Sequence, residues 1–574
     1  MSGTVDRDAA GDGGRARPAT VGGYLAARLA QLGAHHLFGL PGDYNLSLLD
    51  EMLACGAVHW VGSTNELNGA YAADGYARVA RGPAALVTTY GVGELSALNG
   101  IAGSFAEDVP VVHVVGMPTR AAMARGAPLH HSFLDGEFRR FERMSREVTA
   151  AQAVLEPHTA AADIDRVLRV ALETSKPVYI GVPLDVATVT LDAAAADALD
   201  VPLGIAPSEA AGIEQFRTAL AQRLSVEDEV CVLAGPRVHR RGLEHLVAEL
   251  AELPGVRVAS QAGSKALLDE DHPASLGTYM GANTMSAQAR RTVDEASLLV
   301  MAGAVQSDFT TGFFTHRYDP AAAVELGIDQ ARIGYAVYPR VRLEDSLRVL
   351  HEEVEKAGFP TAAPVTLAPP APAPDGDDEA LDQQRFWALL QHWIAPGSTV
   401  IADAGTAFYG ALDLRLPPES DLLGQPVWSS IGFTLPATLG AGLARADRRP
   451  VLLIGDGAAQ LTATELGTLH ARGVRPVVFL LNNGGYTVER AIQSPEATYQ
   501  DIVAWDWTNL PAALGAADVD TATARTTGEL RAVLARSTDP GRSLFVEVVL
   551  PPRDAPRLLL DLARGVAGTN DPTS

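Results

Sequence analysis

The sequence predicts an α/β protein with three doubly wound parallel-sheet domains. Short apolar runs that stop at Gly, Pro or Asp recur along the chain, as buried parallel strands do. Ala- and Leu-rich segments with helical spacing lie between them, for example at 22–32 and 164–173. With 574 residues, the chain is also too long for one core. The predicted strands are 84–89, 109–116, 177–183, 230–235, 298–303, 399–405, 450–457, 476–483 and 544–550.

Changes in composition predict where the domains begin and end. Residues 1–17 are rich in Gly, Ala, Asp and Arg, and we expect them to be disordered. Residues 191–207 contain no convincing strand, and six prolines between 358 and 378 indicate an extended linker over 356–379. The predicted domains are 18–190, 208–355 and 380–565.

Charge and cysteine content exclude several classes of protein. The chain has 45 basic and 69 acidic residues, a net charge of −24, which disfavours binding to nucleic acid or to anionic membranes. Cys55 and Cys231 are too few for a disulfide framework or a cysteine-based zinc site, and we expect idle thiols in a reducing compartment. No secretory signal and no run of about eighteen apolar residues occurs, so we expect a cytoplasmic protein.

Two glycine-rich motifs in the last third of the chain predict a metal and phosphate site. LIGDGAAQ (453–460) ends a strand with Asp456, and NNGGY (482–486) ends the next strand. The carboxyl ends of neighbouring parallel strands share one sheet edge. Magnesium prefers oxygen ligands, which Asp456, the Asn483 side chain and a carbonyl near Gly485 can supply. Either motif alone is more often an ordinary turn, but their pairing favours a diphosphate site.

This paired motif is similar to the diphosphate-binding signature of thiamine-diphosphate enzymes. The segment TNELNGAYAADGYAR (64–78) resembles the one that places a carboxylate beside the cofactor's aminopyrimidine ring, with Glu66 at the matching position. A hydrogen bond from that carboxyl to the ring nitrogen favours the imino tautomer, which removes the C2 proton of the thiazolium. Taken alone, Glu66 could equally be a first-turn acid favoured by the helix dipole.

Four more segments resemble the pyruvate and indolepyruvate decarboxylase family: HLFGLPGDYN (36–45), TTYGVGELSALNGIAG (88–103), LHHS (129–132) and YTVER (486–490). The resemblance extends from about residue 20 to about residue 550. It implies a thiamine-diphosphate-binding fold, thiamine diphosphate and Mg²⁺ as cofactors, and non-oxidative decarboxylation of a 2-oxo acid to an aldehyde and CO₂ through a thiamine diphosphate enamine. The proton-handling residues that it implies are Asp43, His130, His131 and Glu489.

The segment VWSSIGFTLP (427–436) resembles the stretch beneath the cofactor in that family, where Ile431 is the apolar wedge that keeps the two rings bent. Two positions depart from the pattern, because relatives more often have glycine at Ser429 and often an acid at Gly484. The implied metal ligands are Asp456, Asn483 and Gly485. The implied cofactor contacts are Glu66, Thr89, Thr406, Ser429, Ile431, Asp456, Gly457, Ala458, Asn483 and Gly485, and the substrate pocket contains Ala404, Phe408 and Val488.

The resemblance also implies an active site shared by two chains. One chain supplies Asp43, Glu66, His130 and His131, and the other supplies Asp456, Asn483 and Glu489. A homodimer is then the minimal active unit, and we expect it to pair into a tetramer. The first domain would bind the pyrimidine and the third the diphosphate, while the middle domain would be structural.

The expected substrate is an aromatic or branched-chain 2-oxo acid. Val488 stands where pyruvate-restricted relatives tend to have isoleucine, and Ala404 where indolepyruvate relatives have glutamine, so both positions leave room. The alternatives are a pyruvate decarboxylase, a carboligase resembling acetolactate synthase and a non-catalytic cofactor-binding protein. Nicotinamide chemistry is disfavoured, because the glycine pattern at 91–96 lacks its third glycine.

Overall fold

The computed structural model describes residues 20–363, 365, 367, 369–537 and 539–569, and the structural statements below refer to these. The segment 1–17, expected to be disordered, lies outside them. Three sheets, each flanked by helices, follow one another along the chain. This arrangement confirms the predicted α/β class.

The first sheet has six parallel strands in the order β2-β1-β3-β4-β6-β5. Its central strands are buried along their whole length, which explains their continuous apolar sequences. The strands are β1 (His36–Gly39), β2 (His59–Gly62), β3 (Ala84–Thr89), β4 (Val111–Met117), β5 (Gln152–Val154) and β6 (Val178–Pro183).

The second sheet has seven strands in the order β13-β12-β11-β10-β7-β8-β9. The sequence predicted a parallel sheet, but this one is only partly parallel. Its last two strands form an antiparallel hairpin on the edge. The connection between them is only Gly334 and Tyr335, too short for the crossover that parallel strands need. The strands are β7 (Val230–Ala234), β8 (Val256–Ser260), β9 (Ser275–Thr278), β10 (Leu299–Ala302), β11 (Val324–Leu326), β12 (Gln330–Ile333) and β13 (Ala336–Pro339).

The third sheet has six parallel strands in the order β15-β14-β16-β17-β19-β18. Its three central strands β14, β16 and β17 end close together at one edge, where the predicted metal motifs begin. The strands are β14 (Thr399–Ala402), β15 (Asp421–Leu423), β16 (Pro450–Gly455), β17 (Val477–Asn482), β18 (Asp520–Ala524) and β19 (Leu544–Val549).

Each of the nine predicted strands is present, as β3, β4, β6, β7, β10, β14, β16, β17 and β19. The strands that the pattern missed have three to five residues, and several carry a polar or charged side chain, such as His36, Arg257 and Glu325. Such short strands give no clear apolar run, so they form because neighbouring strands pair with them.

Helices connect the strands, and in the described part of the chain none has both the length and the apolarity to cross a membrane. They are α1 (Val21–Gln31), α2 (Leu46–Ala54), α3 (Glu66–Ala80), α4 (Val92–Ala106), α5 (Arg120–Ala124), α6 (Arg140–Arg146), α7 (Ala160–Thr174), α8 (Leu184–Ala187), α9 (Ala193–Asp197), α10 (Ala210–Leu224), α11 (Pro236–Arg240), α12 (Glu244–Ala251), α13 (Ala287–Asp294), α14 (Leu343–Ala357), α15 (Gln383–Trp393), α16 (Thr406–Asp413), α17 (Thr434–Ala444), α18 (Asp456–Thr462), α19 (Glu465–Ala471), α20 (Thr487–Ile492), α21 (Leu510–Ala513), α22 (Thr527–Arg536) and α23 (Arg557–Thr569).

Helices α3 and α17 cross at very short distance and join the first sheet to the third. A Cβ atom on Gly440 would lie 1.9 Å from the carbonyl oxygen of Ala72, and one on Gly75 would lie 2.6 Å from the Cα of Ala437. Only glycine at these two positions allows the two backbones to touch. The helix pair is buried in one apolar cluster with strands of both sheets.

Candidate active site

A cavity of about 190 Å³ lies at the carboxyl edge of the third sheet. The segments that follow β14, β16 and β17 form most of its wall, because parallel strands place their carboxyl ends at one edge. The structure brings twelve of the predicted site residues together there: Ala404, Thr406, Phe408, Ser429, Ile431, Asp456, Gly457, Ala458, Asn483, Gly485, Val488 and Glu489.

Asp456 is the most enclosed acid of this cavity, with 1% of its surface exposed. Its Oδ1 accepts a hydrogen bond from the Gly457 N–H at 2.7 Å, and its Oδ2 accepts from Gly484 at 2.7 Å and from Gly485 at 3.2 Å. Burial raises the pKa of the Asp456 carboxyl, while these backbone donors favour its charged form. A nearby cation would favour the carboxylate further.

Asn483 supplies a second oxygen at this edge. Its Oδ1 is buried and has no hydrogen-bond partner among the described residues. Arg490 holds the same loop from outside by donating to the carbonyls of Asn483 at 3.2 Å and Gly484 at 2.8 Å. Buried polar atoms without partners are rare, so this oxygen fits a bound ligand. A carboxylate and an amide oxygen on one loop pair suit Mg²⁺.

The turn that carries Ile431 is fixed by a residue that the sequence analysis missed. Buried Asp403 accepts hydrogen bonds from the N–H groups of Gly432 and Thr434, both at 3.2 Å, and from the Thr434 hydroxyl at 2.6 Å. Burial raises the pKa of Asp403 to about 6. The sequence signal that could have identified Asp403 is its position directly after strand β14 and before Ala404.

Ser429 lies in the same turn with φ +54°, the left-handed region that favours glycine. Its hydroxyl donates to the Gln425 carbonyl at 3.1 Å. This conformation gives a physical reason why glycine suits the position. Serine adopts it here at some cost in backbone strain.

Further aromatic residues line the cavity, among them Phe309 and Tyr409. The ring centroid of Phe309 lies 5.9 Å from that of Phe408 and 5.6 Å from that of Tyr409. Sequence reasoning missed Phe309 because it lies between strands β10 and β11 of the second sheet, far along the chain from the motifs of the third. The three rings give this side of the cavity an apolar surface.

A second group of predicted residues meets at the carboxyl edge of the first sheet. His130 Nε2 lies 2.9 Å from Asp43 Oδ2, and the rings of His130 and His131 are 4.5 Å apart. Tyr44 stacks on His130 at 5.0 Å, with its hydroxyl 3.3 Å from Nδ1. Asp43 and His130 are half-exposed, so solvent or a ligand can reach them. A carboxylate paired with imidazoles can pass protons near neutral pH.

Glu66 is the first residue of α3, directly after its N-cap residue Asn65. Its Oε1 would lie 3.0 Å from a Cβ atom on Gly93, so this glycine keeps the space beside the carboxyl open. Within the described ranges no hydrogen bond to the Glu66 side chain occurs, and the nearby Thr89 Oγ1 is buried without a partner. Both groups are therefore available to a ligand.

The turn that contains His130 and His131 is supported by Gly91 and Glu94, which sequence reasoning did not select as site residues. A Cβ atom on Gly91 would lie 2.1 Å from the His131 carbonyl oxygen, and its φ is +69°. Glu94 is buried and accepts hydrogen bonds from the Gly91 N–H at 2.8 Å and from the Tyr179 hydroxyl at 3.0 Å. Burial raises the pKa of Glu94 to about 7.

The two groups of predicted residues do not meet within one chain. The wall of the 190 Å³ cavity contains none of Asp43, Glu66, Thr89, His130 and His131. Helix α3 instead packs against α17 and α19, where Asn68 donates to Glu465 at 2.9 Å. The two groups therefore lie at separate places in the single chain.

Comparison with known domains gives three matches that cover most of the chain. Residues 19–136 match the N-terminal TPP binding domain of thiamine pyrophosphate enzymes, and residues 217–353 match their central domain. Residues 403–548 match their C-terminal TPP binding domain. The three matches follow the order of the three sheets.

Curated relatives and a solved structure are similar over nearly the whole length. The alpha-keto-acid decarboxylase of Mycolicibacterium paratuberculosis is 45% identical over 558 residues, 96% of this chain and 98% of the relative. That of Mycobacterium tuberculosis strain H37Rv is 46% identical, over 96% of this chain and 97% of the relative. The thiamine diphosphate-dependent 4-hydroxybenzoylformate decarboxylase of Rhodococcus jostii shares the fold, with a TM-score of 0.75 and 21% identity over 93% of this chain and 99% of that one.

The pKa of Glu94 predicts how stability depends on pH. A folded-state pKa of about 7 against an ordinary value near 4.5 means that Glu94 destabilises the folded state progressively as pH rises through this window. Glu94→Gln keeps an acceptor for the Gly91 N–H but cannot ionise. We expect its unfolding free energy, relative to wild type, to rise between pH 4.5 and 7 by on the order of 3 kcal/mol, at about 1.4 kcal/mol per pKa unit.

The measurement is the midpoint of denaturant unfolding of both proteins at pH steps from 5 to 8. Glu147→Gln, which changes an exposed acid in the same part of the chain, is the control, and its difference in unfolding free energy from wild type should not vary with pH. If the difference for Glu94→Gln does not vary with pH either, the pKa of about 7 for Glu94 is contradicted.

Proposed function

Since this chain belongs to the thiamine pyrophosphate enzymes, we infer that it is a carboxy-lyase that converts a 2-oxo acid into an aldehyde and carbon dioxide. The observation that carries this inference is the cavity of the third sheet, where a buried carboxylate and an unpartnered amide oxygen share one wall. Similarity to alpha-keto-acid decarboxylases over 96% of the chain supports the same reaction. Bound thiamine diphosphate supplies the electron sink that decarboxylation needs.

Mg²⁺ and the diphosphate would be held by the loops after β16 and β17. Asp456 would give a charged oxygen, Asn483 its free Oδ1, and Gly485 a backbone carbonyl. The fit rests on the unpartnered Oδ1 and on a carboxylate already oriented by three N–H groups. With a net charge of −24, the chain needs such a cation to retain a diphosphate.

Glu66 would bind the aminopyrimidine ring. Its carboxyl makes no hydrogen bond within the described chain, and Gly93 keeps the adjoining space open. A carboxyl in this place can share a proton with a ring nitrogen and so hold the ring in its reactive tautomer. Thr89, whose hydroxyl also lacks a partner, borders the same space.

Asp43, His130, His131 and Glu489 would handle the protons of the reaction. An aldehyde forms only after the carbon that loses CO₂ has gained a proton, and the product's hydroxyl must then lose one. The Asp43–His130 pair, with His131 alongside, can do both near neutral pH. Glu489 lies in the wall of the cavity at the third sheet, on the first turn of α20.

A complete site therefore needs two chains. Asp43, Glu66, His130 and His131 lie outside the cavity that Asp456, Asn483 and Glu489 line in the same chain. We propose a homodimer in which each chain completes the site of its partner, and pairing of two such dimers into a tetramer. Exposed Trp428 directly precedes Ser429, and exposed Leu461 lies on α18, which begins at Asp456; both would be covered on association.

The preferred substrate would be an aromatic or branched-chain 2-oxo acid. Ala404 and Val488 are small, and the rings of Phe309, Phe408 and Tyr409 give the cavity an apolar side. Pyruvate would leave part of this surface without contact, and each missing methylene costs about 1–3 kcal/mol in discrimination. A carboligase is disfavoured, because nearby proton donors end the reaction before a second oxo acid can add.

We predict that Glu66→Gln nearly abolishes decarboxylation while the fold is retained. An amide cannot share a proton with the ring nitrogen, and one general acid-base group is worth roughly a hundredfold or more in rate. The measurement is steady-state turnover with saturating thiamine diphosphate and Mg²⁺, with circular dichroism as the test of folding. Glu355→Gln, at an exposed position of α14, is the matched control. Activity above about a tenth of wild type would rule out the role of Glu66.

We predict that Asp456→Ala weakens cofactor retention by roughly tenfold or more, because the only charged metal ligand is lost. Calorimetry with thiamine diphosphate in the presence and absence of Mg²⁺ measures this directly. Asp378→Ala removes one exposed charge elsewhere and should leave the affinity unchanged. Equal affinities for Asp456→Ala and wild type in Mg²⁺ would contradict the assignment.

We predict a higher kcat/KM for a larger acid than for pyruvate. The panel is pyruvate, 4-methyl-2-oxopentanoate, phenylpyruvate and indole-3-pyruvate, with aldehyde as the measured product. Val488→Ile should move selectivity toward pyruvate, because its extra methylene fills the pocket. A wild-type enzyme that prefers pyruvate to every larger acid would overturn the substrate proposal, and an acetolactate product would overturn the reaction.

A further inference from the structure

A second, larger cavity of about 1280 Å³ lies between the second sheet, helices α15 and α16, and the C-terminal helix α23. We refer to it as the rear cavity. Its walls are mostly apolar and include Leu276, Met280, Leu412 and Leu558. Nothing in the proposed reaction uses it. Its volume exceeds what a drug-sized ligand usually occupies.

Three side chains of the rear cavity have unused polar atoms: Gln383, Asp413 and Arg415, whose Nε is buried without a partner while its guanidinium pairs with Asp271. Gln383 is 2% exposed, and its Nε2 is buried without a partner, while its Oε1 accepts a hydrogen bond from Trp387. Asp413 has a buried Oδ1 without a partner, and no ion pair or hydrogen bond to its carboxyl occurs in the described ranges. Unused buried polar atoms are expensive and point to a missing ligand or water.

The other acids of the rear cavity are already engaged. Glu270 pairs with Lys265 at 2.7 Å and also accepts from the Leu416 N–H. Asp561 pairs with Arg564 and lies 3.5 Å from Arg557, and Asp554 accepts from the Gln383 N–H at 2.6 Å. Asp413 is thus the acid in this wall that makes no hydrogen bond or ion pair within the described ranges.

Burial raises the pKa of Asp413 to about 6, although Lys265 and Arg557 favour its charged form. The carboxylate is therefore poorly solvated where it stands. An ammonium group within hydrogen-bonding distance would compensate for that loss more strongly than a neutral donor would. The apolar walls would then cover the remainder of such a molecule.

We propose that the rear cavity is a second ligand site, which takes a small apolar molecule with a cationic amine end bound by Asp413. Gln383 also lines this cavity, with its Nε2 buried behind the surface. The site is distinct from the cofactor cavity and does not depend on the proposed reaction.

Two helices connect the rear cavity to the cofactor cavity. In α16, Phe408 and Tyr409 line the cofactor cavity, while Gly410 and Asp413 line the rear cavity. Helix α20 is shared in the same way, with Glu489 on one side and Ile492 on the other. A ligand that shifts either helix displaces side chains of both cavities. Occupancy of the rear cavity therefore changes the rate of the enzyme.

The test uses three probes that share a phenylethyl group and differ in their polar end: 2-phenylethylamine, 2-phenylethanol and 3-phenylpropanoate. Their binding to the holoenzyme is measured by calorimetry without any 2-oxo acid, so the result does not depend on the proposed activity. The variants are Asp413→Asn, which keeps shape and removes charge, and Asp228→Asn, which removes an exposed charge elsewhere.

We expect wild type and Asp228→Asn to bind the amine at least tenfold more tightly than the alcohol or the acid, and Asp413→Asn to lose that preference. Equal affinity for amine and alcohol in wild type, or unchanged amine affinity in Asp413→Asn, would overturn the site.

We also expect the amine to change kcat/KM at least twofold in wild type and not in Asp413→Asn. If the amine binds tightly through Asp413 but kcat/KM is unchanged, the ligand site stands and the proposed connection between the rear cavity and the cofactor cavity is wrong.

Discussion

The direct contact between the backbones of α3 and α17 is the constraint on which the rest of the structure depends. Gly75 and Gly440 allow the two helices to touch, and Asn68 and Arg78 add hydrogen bonds to Glu465 and to the Gly424 carbonyl on the other side. The contact holds α3, whose first residue is Glu66, against the third sheet. In its own chain Glu66 does not line the cavity of that sheet.

Three buried acids near the predicted site residues are held by neutral donors. Asp456 and Asp403 accept hydrogen bonds mainly from backbone N–H groups, and Glu94 from a backbone N–H and a tyrosine hydroxyl. Such donors orient a carboxylate without neutralising it. Under the proposed function, a metal ion would supply the positive charge beside the diphosphate. The net charge of −24 is consistent with that need.

The sequence was sufficient for the long buried strands and for the residues that follow them, because apolar runs and the glycine-rich ends of strands are local patterns. Three predicted residues from those patterns, Asp456, Asn483 and Gly485, line one cavity with nine others that the family resemblance implies. The sequence was not sufficient for groups whose partners are distant in the chain. Asp403 is 28 residues before Ile431, whose turn it orders, and Phe309 reaches the cavity from the second sheet. The edge hairpin of that sheet was missed because its strands are short and their pairing partners, not their sequences, define them.

Arg490 gives the site a further property. It follows Glu489 directly and binds the carbonyls of Asn483 and Gly484 together with Asp501, so one side chain ties α20 to the loop after β17. Under the proposed function, this tie would couple the substrate side of the cavity to the metal ligands. Substitutions in α20 that change substrate preference would then also affect cofactor retention. Changes of side-chain volume at Phe309, Phe408 and Tyr409, which make no hydrogen bond to that loop in the described residues, would not carry this cost.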